Sequence, residues 1–285
     1  MRGVERLLQH VSACNNARLP GVRLRLCVGK AIIGYLRPDL AGTLAAFPEL
    51  GPTPGGLALR DPAALPDILR TLADQGAFRW RGEAFDVRAE PNGPVLTQAD
   101  RGALPLLGLV SVGVHVNGLV RRSDGLHVWI GRRAPDKHLD PDKLDHLVAG
   151  GVPAGLSPQA TLVKEAAEEA AIPAELAVRA VPVGRIAYAM ERPEGLRRDL
   201  LLCYDLDLPE DFVPRPADGE VADFMLWPVA RVLETVSAGD TFKFNVNLVL
   251  IDLFIRHGLI EDAEAARLRA ALSQPARGAP GTPAP

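Results

Sequence analysis

Three glutamates lie close together in one segment of the chain, and their spacing is the first sign of chemistry. Glu165, Glu168 and Glu169 stand at i, i+3 and i+4, which places side chains on one side of a helix. Crowded carboxylates repel one another, so a solvated helix face is one interpretation. A glycine pair, Gly150-Gly151, precedes them, and backbone without side chains can approach other groups closely. Because Mg²⁺ and Mn²⁺ prefer such oxygen ligands, the alternative is a site for a divalent cation.

The surrounding residues predict the helix that carries these glutamates. Ser157 is a favourable N-cap, and Pro158 suits the first helical position. Small alanines between the glutamates allow the helix to pack closely on a sheet. Pro173 favours an end to the helix, so we expect the last helical residue at about Ala171.

This stretch resembles the signature of the Nudix hydrolases, G-x5-E-x7-R-E-U-x-E-E-x-G-U, in which U is an aliphatic residue. Gly150 takes the place of the opening glycine, and Ile172 that of the closing aliphatic residue. The resemblance implies an α/β fold, the Nudix α/β/α sandwich with a mixed sheet, and the mixed helix and strand patterns before it predict a small α+β domain. The resemblance also implies a Mg²⁺ or Mn²⁺ cofactor, with a ligand set that comprises Glu165, Glu169, Glu168 and the Gly150 carbonyl.

The stretch departs from that signature in several places. Leu156 stands where the signature has its first glutamate, and Lys164 replaces an arginine whose planar fork can orient a carboxylate. Ala166 is small for an aliphatic position, and Ala171 replaces a glycine that often takes a left-handed conformation. A catalytically decayed binding module on the same scaffold therefore stays open as an alternative to a hydrolase.

A closer resemblance covers the segments PDKLDHLVAGG, GLSPQATLVKEAAEEAAIP and FKFNVNLVLIDLFIRHGLI. They are similar to the Nudix branch related to the C-terminal part of yeast-type thiamine pyrophosphokinase proteins, in which a Gly-Leu-Ser run like residues 155–157 replaces the first glutamate. This resemblance implies hydrolysis of thiamine diphosphate, especially its oxidised forms, to the monophosphate. A nucleoside diphosphate derivative is the alternative substrate. Isomerisation of an isoprenoid diphosphate, with Cys203 as the reactive thiol, is a minor alternative.

In the implied mechanism, the cation neutralises the oxygens of a small-molecule diphosphate substrate and activates water. Glu165 and Glu169 are the first-choice ligands, and Glu168 is either a third ligand or the base that activates water. Glu220, in a later loop, is a further catalytic carboxylate or an ordinary solvated glutamate. Four other side chains are candidates for binding substrate phosphate, with surface or structural roles as the alternative: Arg132, Lys143, His146 and Lys243.

Changes in composition and in the pattern of predicted helices and strands divide the chain into three regions. We expect an N-terminal α+β domain of unknown role over residues 1–107, a Nudix domain over 108–272 and a disordered tail rich in Pro, Gly and Ala over 273–285. Within the first region, the stretch AFRWRGEAFDVRAE predicts a hairpin that turns at Arg81-Gly82.

Composition narrows the classes of partner. The net charge of −3 provides no basic surface for nucleic acid, and no apolar run has the length of a membrane span. The N-terminus lacks the pattern of a signal peptide. The three cysteines lack zinc-site spacing, which predicts free thiols in a reducing compartment, with the cytoplasm as the expected location. A homodimer stays open, because the sequence does not set the oligomeric state.

Overall fold

The computed structural model describes residues 2–274, and short helices and strands alternate in its N-terminal part. In chain order these are α1 (Arg2–Cys14), β1 (Leu24–Val28), β2 (Ala31–Leu36), α2 (Pro38–Leu44), β3 (Leu50–Thr53), β4 (Gly56–Leu59), α3 (Leu65–Asp74), β5 (Ala84–Val87), β6 (Thr97–Asp100) and α4 (Leu104–Leu107). Four strands form a sheet in the order β2-β1-β4-β3, and β5 pairs with β6 in a separate ribbon.

One apolar core holds this N-terminal part together. Leu26 and Ile33 on the sheet, Leu69 on α3 and Phe85 on the ribbon belong to one buried cluster. Burial of these side chains stabilises an arrangement whose strands are too short to be stable alone.

The predicted hairpin at Arg81-Gly82 is wrong. Strand β5 begins after that turn and pairs with the distant β6. The Asp100 carboxylate accepts hydrogen bonds from the backbone N–H groups of Arg81, Gly82 and Glu83 at 2.8–3.3 Å, and from that of Gly102 at 2.8 Å. These N–H groups are therefore satisfied by a side chain, and they form a fixed loop instead of a strand ladder.

The second part contains a larger mixed sheet. Its elements are β7 (Val110–Arg122), β8 (Gly125–Arg133), β9 (Leu144–Asp145), β10 (Val148–Gly151), α5 (Pro158–Ala170), α6 (Ala174–Ala177), β11 (Val181–Arg192), β12 (Gly195–Asp207), β13 (Val221–Pro228), α7 (Val229–Ala238), α8 (Val246–Arg256) and α9 (Asp262–Ser273). The strand order is β11-β12-β7-β8-β13, with β10 paired to β7 and β9 to β8. Strands β7 and β12 are parallel, and the other pairs are antiparallel.

Helices cover both faces of this sheet, as the α/β/α prediction requires. Val114 and Val116 of β7 share a buried cluster with Leu162 of α5, whereas Leu119 of β7 belongs to the cluster that contains Phe254 of α8. This division follows from the alternation of side chains along a strand. None of the helices within residues 2–274 combines the length and the apolar character that a bilayer span needs.

The predicted boundary at residue 107 differs from the packing in one respect. The buried Val4, Leu7 and Val11 of α1 belong to the core of the second part, where α1 contacts α7, α8 and α9. The structure therefore places α1 with the second part of the fold. Of the predicted disordered tail, Ser273 ends α9, and residues 275–285 lie outside the described part of the chain.

Two buried arginines link the two parts. Arg23 donates to both carboxylate oxygens of Glu191 at 2.7 and 2.6 Å. Arg198 donates to the carbonyl oxygens of Ile33 and Gly108 at 3.3 and 3.1 Å. Such charge-assisted bonds fix the orientation of the N-terminal part relative to the sheet.

Helix α5 begins and ends close to the predicted residues. The Ser157 hydroxyl accepts a hydrogen bond from the Ala160 N–H at 3.1 Å, and Pro158 opens the helix. The helix ends at Ala170, and Ala171 takes the left-handed conformation with φ of 52° and ψ of 35°. A Cβ is unfavourable there, so the strain expected from an alanine at the glycine position is present.

We expect Ala171→Gly to stabilise the protein by about 1 kcal/mol, because glycine adopts the left-handed conformation without that penalty. Urea denaturation measures the effect. Ala167→Gly is the matched control, since Ala167 is exposed within the same helix, and glycine there should cost about 1 kcal/mol. Destabilisation by both substitutions would show that Ala171 is not strained.

Candidate active site

Glu165 lies directly against the backbone of Gly150. A Cβ placed on Gly150 would lie 2.4 Å from both the Cγ and the Cδ of Glu165, closer than any side chain allows. The glutamate is 15% exposed. Burial raises the pKa of its carboxyl, and Lys164 opposes that rise. The structure thus brings together the glycine and the first glutamate of the predicted ligand set.

Glu169 lies one turn further along α5 and is more deeply buried, with 7% of its surface exposed. Its Oε2 accepts a hydrogen bond from the Ala149 N–H at 2.9 Å. Burial raises the pKa of Glu169 well above its usual value, and the charges of Asp145, Glu165 and Glu220 add to that rise. Within residues 2–274, no cationic side chain forms an ion pair with this carboxylate.

Glu168 has a different environment from the other two. It is half-exposed, and its Oε2 accepts from Lys164 Nζ at 2.6 Å, while the same amine lies 3.2 Å from Glu165 Oε1. Successive residues of a helix are about 100° apart, so Glu168 points away from Glu169. The structure therefore does not gather the three predicted glutamates around one point, and Lys164 neutralises the outer one.

Glu220 reaches the site from the loop before β13. Its carboxylate forms an ion pair with Lys137. Burial opposes ionisation of Glu220, but the hydrogen bond and charge of Lys137 outweigh it and lower the pKa. Its charge also contributes to the raised pKa of Glu169, and the role of Glu220 as a further catalytic carboxylate stays a prediction.

An acidic residue that the sequence analysis did not single out, Asp145, organises the cations beside the site. Its Oδ2 accepts from Arg133 Nη1 at 2.8 Å and from Lys243 Nζ at 3.3 Å. Burial opposes ionisation of Asp145, but Lys243 and Arg133 hold its pKa well below the usual range. Lys243, predicted to bind substrate phosphate, is thus buried in an ion pair. The sequence signal from which this role could have been predicted is the position of an aspartate inside the short apolar stretch LDHLV.

The other three predicted phosphate ligands occupy separate places. His146 is buried, and its ring packs edge-on against His115 with centroids 5.1 Å apart. Arg132 is paired with Asp223 at 3.1 Å, and both are partly exposed. Lys143 is partly exposed, and its backbone carbonyl accepts a hydrogen bond from the Arg133 N–H at 3.0 Å.

The donor set suits a hard divalent cation, although the side chains do not enclose one in this conformation. Within the described residues, no group of three or more His, Cys, Asp or Glu side chains is arranged to hold a metal. Glu165, which is half-buried, and Glu169, which is buried, nevertheless lie against β10 with raised pKa values, and among residues 2–274 only Lys164 forms an ion pair with either of them. A cation between them would remove the repulsion and stabilise both ionised forms.

The cysteines offer no competing chemistry. Cys14, Cys27 and Cys203 are free and buried, as expected for ordinary thiols. Burial raises the pKa of the Cys203 thiol, which disfavours the nucleophilic thiolate. This environment weakens the isomerase alternative.

Comparison with known proteins finds a family match that includes the helix with the three glutamates. The NUDIX domain family matches residues 112–245. The chain is 36% identical to Nudix hydrolase 20, chloroplastic, of Arabidopsis thaliana over 280 residues, which cover 91% of this chain and 75% of that protein. It is 38% identical to Nudix hydrolase 24, chloroplastic, of the same plant over 266 residues, or 89% of this chain and 73% of that one. The crystal structure of DR0079 from Deinococcus radiodurans superposes with a TM-score of 0.44 at 21% identity, covering 59% of this chain and 97% of that chain.

We expect Glu169→Gln to stabilise the protein in EDTA, because glutamine keeps the acceptor for the Ala149 N–H and removes a buried charge. We also expect it to abolish the rise in melting temperature that Mn²⁺ causes in the wild type, a rise that corresponds to about 2.7 kcal/mol at a hundred times Kd. Glu168→Gln is the control and should keep most of the Mn²⁺ effect. An equal Mn²⁺ response in Glu169→Gln would remove that residue from the ligand set.

The buried His146 predicts a loss of stability in mild acid. Burial lowers the pKa of His146 to about 4, while an unfolded histidine titrates near 6.5, so the unfolded state alone takes up a proton between these values. Stability should therefore fall from about pH 6.5 to 4, by roughly 3 kcal/mol for this residue.

Urea denaturation at several pH values tests this. His146→Gln should show a correspondingly shallower pH dependence, and the exposed His138→Gln should follow the wild type. Parallel curves for His146→Gln and the wild type would contradict the expectation.

Proposed function

This chain belongs to the Nudix hydrolase family and hydrolyses pyrophosphate bonds, and we propose that Glu165 and Glu169 hold the divalent cation for that reaction. The observation that carries the proposal is the position of these carboxylates against Gly150 and Ala149, where burial and mutual repulsion disfavour their ionised forms in the absence of a cation. When bound there, a divalent ion supplies charge neutralisation for the phosphate oxygens and acidifies water.

The chain's own residues then have distinct roles. Gly150 leaves room for Glu165 to lie on the strand, and the Ala149 N–H orients Glu169. Lys164 holds Glu165 and Glu168 by charge, in the position where the family signature has arginine. A lysine lacks the planar fork, so it orients a carboxylate less strictly.

We assign proton transfer to Glu220, ahead of Glu168. Glu220 is half-exposed and Lys137 lowers its pKa, so Glu220 is ionised at neutral pH and can accept a proton from attacking water. Both carboxylates are ion-paired, Glu220 with Lys137 and Glu168 with Lys164, but Glu168 lies on the outer side of α5, whereas the charge of Glu220 acts on the buried Glu169. This arrangement favours an electrostatic role for Glu168 over that of general base.

For the substrate we propose thiamine diphosphate or its oxidised derivatives, hydrolysed to the monophosphate. Support comes from the sequence segments that resemble the thiamine-related branch, two of which contain residues of the site. Next to Lys243, the half-buried Phe244 provides an aromatic ring, with the guanidinium carbon of Arg192 4.6 Å from its centroid. Arg197 also lies 5.7 Å from that centroid and Tyr188 packs edge-on at 6.1 Å, so a heteroaromatic ring can stack on Phe244 only where one of these neighbours moves aside. Tyr188, the other aromatic candidate, is fully buried and bonded to Asp199, so it supports the core.

Purified protein with Mg²⁺ and oxidised thiamine diphosphate should release phosphate, and EDTA should stop the release. Glu169→Gln should lower kcat/KM by more than about 100-fold, since even residues that merely support a metal ligand cost 10- to 100-fold. The exposed, ion-paired Arg132→Ala should retain most of the activity. Faster turnover of ADP-ribose or a nucleoside triphosphate would move the substrate to the nucleoside class, and no turnover of any diphosphate would favour a binding module.

A further inference from the structure

The N-terminal part contacts the glycine-rich strand of the active site. The ring of Phe85 lies on Gly151, where an added Cβ would be 2.6 Å from the phenylalanine Cζ. One residue before, the Ala84 carbonyl accepts a hydrogen bond from the Ala154 N–H at 2.8 Å. Strand β5 therefore packs along the loop that leads from β10 to α5.

Arg101 lies beside this contact. Its guanidinium carbon is 5.9 Å from the centroid of the Phe85 ring, and its Nη1 donates to Glu83 Oε2 at 2.9 Å. The side chain is 53% exposed. A guanidinium has five N–H donors in a planar fork, and Glu83 takes one of them, so the geometry leaves capacity for an oxyanion.

The backbone around Arg101 is fixed. The Arg101 N–H donates to the Glu83 carbonyl at 2.8 Å, and the neighbouring Asp100 carboxylate is bonded to four backbone N–H groups of this loop. The guanidinium is thus presented by a rigid loop, which limits the conformational entropy lost when a ligand binds.

A chain of contacts leads from Arg101 to the strand that carries Gly150: its guanidinium lies over Phe85, and the Phe85 ring lies on Gly151. Burial raises the pKa of Glu165, and Arg101 is among the cations that oppose the rise. Arg101 also contributes to the lowered pKa of Glu220, after burial and Lys137. One guanidinium from the N-terminal part therefore lies within electrostatic reach of two carboxylates that approach the site from different elements of the Nudix domain.

We propose that Arg101 binds a phosphate oxygen of the diphosphate substrate, so that the N-terminal part completes the active site of the Nudix domain. The inference rests on the proposed function, because it needs a diphosphate between the glutamates and Arg101. Arginine suits this role through two parallel N–H···O bonds to one phosphate, which a lysine cannot form.

Binding of Mg²⁺-methylenediphosphonate, measured by calorimetry, tests the proposal without turnover. Arg101→Met keeps a long unbranched side chain and removes the charge, and it should weaken binding about 10- to 100-fold, as expected for a charged hydrogen bond. Arg101→Lys should bind more tightly than Arg101→Met and more weakly than the wild type. Arg37→Ala is the control, since Arg37 lies in the same N-terminal part and is 50% exposed.

The outcomes separate the two proposals. If the wild type binds the diphosphonate and Arg101→Met binds it with equal affinity, the role of Arg101 is overturned and the proposed glutamate site is unaffected. No binding by the wild type would count against the proposed function itself, and with it against this inference. For variants of confirmed melting temperature, KM for the substrate should rise more than kcat falls, which a purely structural role would not produce.

Discussion

The arrangement of the site depends on one close contact, in which the Glu165 carboxylate fills the space that a side chain at residue 150 would occupy. Any residue other than glycine would displace Glu165 or push α5 off the sheet. Because Glu169 follows one turn later, the same contact sets Glu169 beside the Ala149 N–H. The buried Ala166 and Ala170 permit this approach, since larger side chains would hold the helix further from β7 and β10.

Asp145 and Glu169 are both buried carboxylates, but cationic side chains compensate the charge of Asp145 and not that of Glu169. Asp145 has Arg133 and Lys243 as partners and is ionised in the folded protein. Glu169 has a single backbone N–H, and burial disfavours its charge. A compensated carboxylate stabilises the fold, whereas an uncompensated one costs free energy that is recovered when a cation binds. The contrast supports Glu169 as a ligand and Asp145 as the residue that fixes the cations behind it.

Local rules predicted much of this structure from the sequence. The Ser157 cap, the length of α5 and the left-handed Ala171 follow from interactions within a few residues. Such local rules could not predict contacts between segments that are distant in the sequence. The pairing of β5 with β6 depends on Asp100, and the engagement of Lys243 depends on Asp145, 98 residues earlier. Helix geometry already separates Glu168 from Glu169 by about 100°, in line with the choice of Glu165 and Glu169 as first ligands, but the ion pair of Glu168 with Lys164 was not predicted.

The packing makes the N-terminal part a component of the site rather than an appended domain. Arg23 and Arg198 join it to β11 and β12 of the large sheet, and Phe85 covers Gly151 on the strand that carries Gly150. These contacts involve three different strands of the large sheet, β10, β11 and β12, so the two parts are held in one relative orientation. Without the first part, Gly151 and the loop after it would lose their cover, and Asp100 would no longer present Arg101 near the glutamates. The smallest unit with a complete site therefore includes β5, β6 and the loop that Asp100 organises, together with the Nudix domain.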